Sequence, residues 1–453
     1  MIVDETSINK GIDVSILAKL IERHTSHLDR YIRLKKYYLG EHAIKQRQRT
    51  SDGVANNKVV CNHAKYITDM MQSYLVGNPV TYAPSEGYDI EELKNAYLEQ
   101  DIASLDSELV KDMSIYGRAY ELIYADEESR PKSVSINPEQ AFVVYSNDCT
   151  HVPMFGVYYY KTYSISGYCT GAVCNVYDKD NSYTYESNTD NWNSMVLTAQ
   201  MPHFFGNVPL IEYRNNREKQ GDFEQVISLI DAYNILMSDR VNDKEQFVDA
   251  FLLLAGIEVD GDQARKLKAE KILLAPDGGK AEYLSKVLSE SDIKVLRDNI
   301  KEDIHRFSMV PDLSDDSFGG NLSGVAIKYK LLGFEQVVKN KERYLAKSLK
   351  KRFEAYNKFL GIKGQMSEVP IHRVDIAFTR NLPVNNLEVA QMINHLCGTV
   401  TQETLLDQLD FVADPKEEAN LARKEQQEKQ KEHAKFTEDL LGYTRRVKYK
   451  DEK

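Results

Sequence analysis

Apolar positions along the chain change period several times, and each change marks an element. Ile16, Leu17, Leu20, Ile21, Leu28, Tyr31 and Tyr38 recur at helical spacing until Gly40, so a helical stretch is expected there. After the polar segment Glu41 to Asn57, Asn62 can cap a second helix bearing Tyr66, Ile67, Met70, Met71, Tyr74 and Leu75, closed by Gly77-Asn78-Pro79. From Ala119 to Ile211 the runs become short or alternating: Tyr120 to Tyr124, Phe142 to Tyr145, Phe155 to Tyr160, Cys174 to Tyr177 and Leu210 to Tyr213. Gly, Pro, Asn and Asp separate them, which predicts β-strands.

Asp222 and Gln225 form a capping pair before a long amphipathic helix with Phe223, Val226, Ile227, Ile230, Tyr233, Met237, Val241 and Val248 on one stripe. A short module follows: strand Phe251 to Ile257, helix Gln263 to Glu270, strand Lys271 to Ala275, a turn at Pro276-Asp277-Gly278-Gly279, and strand Lys280 to Leu284. It is too small for a core of its own, so neighbouring copies are expected to complete it. A returning helix carries Ile293, Leu296, Ile300, Ile304 and Phe307. Beyond an acidic, Gly-rich loop, Pro311 to Gly324, lies the longest helix, with Ile327, Leu331, Phe334, Val338, Leu345, Leu349 and Phe353 as its buried stripe. Its other faces carry Lys328, Lys330, Lys339, Lys341, Arg343, Lys347, Lys350, Lys351 and Arg352. A strand-like segment, Ile371 to Phe378, is followed by helical spacing from Asn385 and a highly charged tail from Lys416, solvated and helical or disordered.

These elements place the chain in the α+β class, helix-rich, and its 453 residues exceed what one small domain needs. The longest apolar run, Ala250 to Ile257, is far short of the roughly 20 residues that cross a bilayer. With no basic and apolar leader at its start, the chain is read as cytoplasmic in origin. Cys61, Cys149, Cys169, Cys174 and Cys397 are scattered without a C-x-x-C pair and are read as reduced. A net charge of −11 argues against a surface that grips nucleic acid throughout, while leaving room for weak contact with a sliding duplex. The 28 Tyr suit either half-wet contact surfaces or an ordinary strand-rich core.

Motifs for chemistry are sparse. Gly278-Gly279-Lys280 lacks the earlier Gly and the following hydroxyl residue of a phosphate-binding loop. His24 and His27 share a helix face without a metal-spaced partner, and Asp178-Lys179-Asp180-Asn181 lacks the Gly and Glu of a calcium loop and reads as a hairpin turn. Asp312, Asp315 and Asp316 could bind Mg²⁺ in a metal-dependent nuclease or phosphoesterase, yet no base accompanies them. A helical scaffold or adaptor acting through the charged tail is a third reading.

Five segments carry a family resemblance by their order and spacing. They are Tyr37-Tyr38-Leu39-Gly40; Asn56-Asn57-Lys58-Val59-Val60 through Asn62 to Tyr74-Leu75-Val76-Gly77-Asn78-Pro79-Val80; Tyr116-Gly117-Arg118-Ala119-Tyr120; Pro209-Leu210-Ile211-Glu212-Tyr213 before Gly221-Asp222; and Ser317-Phe318-Gly319-Gly320-Asn321-Leu322-Ser323-Gly324-Val325-Ala326. Together they resemble the portal proteins of long-tailed double-stranded DNA phages, in the branch typical of Gram-positive hosts, with a rather short carboxyl-terminal region.

The resemblance implies a non-enzymatic portal fold that assembles into a ring of about twelve subunits around a central DNA tunnel. It implies a wing (1–220 with 359–384), two stem helices (221–250 and 288–308), a clip (251–287), a tunnel loop (309–324), a long tunnel or wing helix (325–358) and a crown with a charged tail (385–453). The implied role is genome packaging, DNA retention, head-tail joining and ejection at one capsid vertex of the virion, after assembly in the host cytoplasm. Implied partners are double-stranded DNA without sequence preference, the terminase large subunit, a head-completion adaptor, and major capsid and scaffolding proteins, with no membrane and no cofactor.

The same resemblance puts Pro311, Asp312, Asp315, Asp316, Ser317, Phe318, Gly319, Gly320, Asn321, Ser323 and Gly324 in the tunnel loop. It makes Arg265, Lys268, Lys271, Asp277 and Lys280 clip contacts for partners. Lys328 and Lys330 are candidate DNA-backbone contacts, a solvated helix face being the equally open alternative. The physics fits a constriction: acidic groups repel phosphates and discourage tight contact, and Gly319, Gly320 and Gly324 supply hinges.

Overall fold

The computed structural model describes residues 12–48, 55–248, 251–255, 280–284, 290–313, 329–380, 386–409, 412, 414–427 and 429. They form two compact units, Met1–Tyr31 with Asp69–Gly221 and Leu313–Lys453, and Ile32–Thr68 with Asp222–Asp312.

In the first unit, α1 (Val14–Thr25) begins where the Asp13 carboxylate accepts from the Ser15 amide at 3.3 Å. Thr25 and Ser26 hydroxyls donate back to the Ile21 and Arg23 carbonyls, and the helix stops. The stretch expected to be one helix to Tyr38 is therefore two, the second being α2 (Leu28–Tyr38). Asn62 caps α3 (His63–Val76) as its sequence foretold, accepting from the Lys65 amide at 3.0 Å.

Strand β1 (Thr81–Pro84) precedes α4 (Glu91–Glu99) and α5 (Ile102–Tyr116), helices absent from the sequence reading. In α5 the buried stripe includes Asp106, which disguises its apolar period. Strands β2 (Arg118–Ala125), β3 (Pro131–Ile136), β4 (Ala141–Tyr145), β5 (Pro153–Tyr163), β6 (Cys169–Tyr177), β7 (Asn181–Ser187), β8 (Val196–Pro202) and β9 (Leu210–Arg214) follow. They make a three-stranded sheet, β3-β2-β9, and a five-stranded meander, β4-β5-β6-β7-β8, all antiparallel.

Strand β4 separates two cores, one on each of its faces. Its alternate residues face opposite ways. Phe142 and Val144 pack with Leu17, Leu20 and Ile21 of α1 and with Phe155, Val157, Cys174 and Val176. Ala141, Val143 and Tyr145 pack with Tyr120, Leu122, Ile136 and Leu210 of the other sheet. Both faces are covered, which is why β4 reads as a continuous apolar run. The Asp178–Asn181 segment is the β6-β7 turn, its Asp178 carboxylate accepting from the amides of Asp180 and Asn181 at 2.8 and 2.6 Å.

The second unit contains α6 (Ile227–Val248), the antiparallel pair β10 (Phe251–Ala255) and β11 (Lys280–Leu284), and α7 (Glu290–Ser308). The apolar stripe of α6 is buried through Phe223, Val226, Ile227, Ile230 and Tyr233, and then becomes polar. Asn234, Ser238 and Asn242 are buried in place of Val241, which is 41% exposed. These three side chains accept from the backbone amides of Cys61, Val59 and Asn57 at 2.8, 2.9 and 2.6 Å. Four residues of helix advance about 6.0 Å and two of extended chain about 6.6 Å, so helix and strand-like segment stay in register. This ladder satisfies backbone donors of a partly buried segment that has no strand partner among the described residues.

The first unit resumes with α8 (Leu332–Ile362), the longest helix at 31 residues, about 46 Å. Strand β12 (Val374–Ala377) pairs with β1, and α9 (Asn386–Leu396) and α10 (Gln402–Leu406) follow.

Candidate functional site

The loop singled out by the sequence leaves α7 at a closely bonded root. Met309 turns the chain in the left-handed region at φ 57°, and His305 Nδ1 lies 3.0 Å from the Val310 carbonyl. The Tyr66 hydroxyl donates to the Pro311 carbonyl at 2.9 Å, and Lys301 Nζ meets the Asp312 carboxylate at 2.5 Å. His63 packs edge-on to His305 at 5.7 Å between ring centroids. Burial, then the charges of His305 and Lys301, push the pKa of His63 down to about 4, so it is neutral at pH 7. The Asp312 contact holds the Lys301 ammonium charged to higher pH than usual.

This root changes the reading of Asp312. Its negative charge is met locally by Lys301, at 2.5 Å. Of the loop residues named from sequence, Pro311 and Asp312 are placed here. Asp315, Asp316, Ser317, Phe318, Gly319, Gly320, Asn321, Ser323 and Gly324 lie outside the described residues, as does Lys328. Lys330 is exposed at the entry to α8. Among the clip candidates, Lys280 opens β11 opposite Ala255, while Arg265, Lys268, Lys271 and Asp277 lie outside the described residues.

Helix α8 is fixed by charged groups that sequence reasoning put on its outer faces. Arg352 is 0% exposed and Lys341 is 2% exposed. Arg352 Nη1 meets Asp106 at 2.6 Å and its Nε meets Glu121 at 2.7 Å. Tyr213 donates to the other oxygen of Glu121 at 2.5 Å. Lys341 donates to the Ser114 hydroxyl. Near the start of α8, Glu335 accepts from Tyr74 at 2.6 Å and pairs with Arg380 at 3.1 Å, and Arg380 also reaches Glu342 at 2.5 Å. A charge on a helix looks solvated in one dimension, and only the partners on α5 and β2 reveal otherwise.

Many of the tyrosines prove to be core residues with a polar end, Tyr145 and Tyr213 donating to buried Glu212 and Glu121. His24 is buried, with Nδ1 2.8 Å from the Tyr159 hydroxyl and its ring 5.0 Å from Phe142, a packing role. The five cysteines are free. No described helix is long and apolar enough to cross a membrane.

Two sequence motifs meet in space. Gly117 caps α5 at φ +81°, and a Cβ there would stand 2.0 Å from the Lys219 carbonyl oxygen, so only glycine fits. Next to it Arg118 pairs with Arg214 across β2 and β9, and the Asn215 amide donates to the Gly117 carbonyl at 3.1 Å. The Asn57 to Asn62 motif supplies the amides of the α6 ladder.

Comparison with known proteins shows the family. The family model "Phage portal protein, SPP1 Gp6-like" matches residues 17–432. The portal protein of Bacillus phage SPP1 is 26% identical over 95% of this chain and 89% of its own length. That of Clostridium phage phiCD119 is 21% identical over 96% of this chain and 100% of its own. A chain from a structure titled "Neck of empty GTA particle computed with C6 symmetry" covers 75% of this chain and 86% of its own, with 12% identity and a TM-score of 0.42, too loose a likeness to bear weight. Matched by the family model from residue 17 to 432, the chain belongs to the phage portal protein family.

Proposed function

We propose that about twelve copies of this portal protein close into a ring at one capsid vertex and that the genome passes through its tunnel during packaging, retention and ejection. Family membership over residues 17–432 carries this reading. The second unit supports it independently: Val295, Leu296, Phe307 and Met309 of α7 and the turn after it are 59, 50, 55 and 52% exposed. Apolar side chains left in water in this density are the kind a neighbouring subunit covers. Four of the stripe positions expected on α7, Ile293, Leu296, Ile300 and Phe307, stay partly or largely exposed in the single chain, which fits a helix completed by association.

Within the ring, the long helices 221–250 and 288–308 act as stem, 251–287 as clip toward the terminase large subunit and then the head-completion adaptor, and 309–324 as tunnel loop. Residues 1–220 with 359–384 serve as wing, 325–358 as the long tunnel or wing helix, and 385–453 as crown and tail, with major capsid and scaffolding proteins as further partners. The reading is non-enzymatic, and DNA is held without sequence preference. The Lys301–Asp312 pair stands at the start of the segment assigned here as tunnel loop. Deleting residues between Asp315 and Ser323 is expected to leave assembly intact and to deplete DNA-filled capsids in a complementation assay. Normal numbers of filled capsids would contradict the role given to the loop.

A further inference from the structure

One cluster of cations in the first unit is left unexplained by packing or by the tunnel. Glu212 of β9 is buried, its side chain 2% exposed, and it is surrounded by bases. Lys219 Nζ lies 2.8 Å from one oxygen, Arg214 Nε 2.9 Å from the other, and Arg118 Nη1 3.7 Å away. The Tyr145 hydroxyl also donates to it at 2.7 Å. On α8, Ser348 donates to the Glu212 backbone carbonyl at 3.0 Å, which brings its neighbours Lys347 and Lys351, one helical turn apart, beside this group, and Glu354 is the second carboxylate close to Lys351. Five cations, Arg118, Arg214, Lys219, Lys347 and Lys351, thus face two carboxylates, Glu212 and Glu354.

Several features show that this surplus is built in and not a by-product of an exposed helix. Arg118 and Arg214 are direct cross-strand partners, an arrangement of like charges that disfavours the sheet unless anions offset it. Lys219 is held in the left-handed region at φ 58°, which a residue with a side chain seldom adopts, while its ammonium reaches Glu212. The Arg118 Nε–H is buried with no acceptor among the described residues. No carboxylate lies within ion-pair distance of Lys347 or Lys351 among the described residues. The group is reachable: the side chains of Arg118, Lys219 and Arg214 are 21, 22 and 36% exposed, and Lys347 is exposed. Crowding agrees, since burial and then the charges of Arg214 and Lys347 lower the pKa of Lys351.

We propose that Arg214, Lys219, Lys347 and Lys351 form a phosphate-binding site on the first unit. A phosphate group suits the surplus better than a single carboxylate, because it carries more charge and offers several acceptors to guanidinium and ammonium donors. The group can come from a DNA backbone or from free phosphate, and the site itself does not depend on ring closure.

The test uses the full chain at low ionic strength. Inorganic phosphate is titrated by calorimetry and a short DNA duplex by fluorescence anisotropy, against the wild type, the double variant Lys347→Gln/Lys351→Gln, and Arg214→Gln. The lysine variant leaves the Glu212 contacts intact, and circular dichroism confirms its fold. Phosphate binding by the wild type, weakened about tenfold or more in the variants, is expected. A parallel fall in duplex affinity with a shallower salt dependence identifies the DNA backbone as the source, and loss of phosphate binding alone identifies free phosphate. No phosphate binding by the wild type, equal binding by both variants, or displacement of phosphate by polyglutamate at matched charge overturns the assignment.

Discussion

Replacing Arg352 by Met is expected to destabilise the first unit by about 3–5 kcal/mol, the cost typical of leaving buried charges without their partner. Arg352 is completely buried, and its guanidinium serves Asp106 on α5 and Glu121 on β2. Methionine fills much of the volume but leaves two carboxylates facing each other in the core. Burial already raises the pKa of Asp106, and Arg352 is the first group that opposes this. The measurement is the thermal unfolding midpoint of the first unit. Adding Asp106→Asn and Glu121→Gln should recover a large part of the loss, because neutral groups carry no uncompensated charge. If Arg352→Met melts with the wild type, the triad does not anchor α8.

Glu212→Gln is expected to cost about 2–4 kcal/mol, less than the first change because its three cations are partly exposed and water screens them. The pH dependence separates it from a simple packing loss. Burial pushes the Glu212 carboxyl up, but Lys219, Arg214 and Arg118 outweigh burial and hold it far below the usual carboxylate range. The unfolded chain takes up this proton near the ordinary value of 4.5, whereas the folded chain does not. The stabilisation is therefore complete above pH 4.5 and declines as the pH falls further. Wild-type unfolding midpoints should drop through that range, and those of Glu212→Gln should drop less. Parallel curves would show that Glu212 is not the carboxylate that matters.

How legible this was from sequence depends on the kind of residue. Strand runs such as Phe142 to Tyr145 and the Asn62 cap were readable because their signals are local. The polar ladder of Asn234, Ser238 and Asn242 was not, because burial of an amide depends on a distant segment, residues 57–61, that has no periodicity of its own. Arg352 and Lys341 were misplaced for the same reason. The exposed apolar residues Leu296 and Phe307 matched a helical stripe but not a single-chain core, since a stripe does not say which molecule covers it. At the loop, its composition pointed to acidity, and only the root shows that Asp312 is already paired.

The central claim is that this portal protein works as a closed ring, and imaging the purified full chain by negative-stain electron microscopy tests it most directly. Closed rings of uniform size with a central hole wide enough for duplex DNA are the predicted result. A population of stable, separate monomers at the concentrations used for assembly would contradict it.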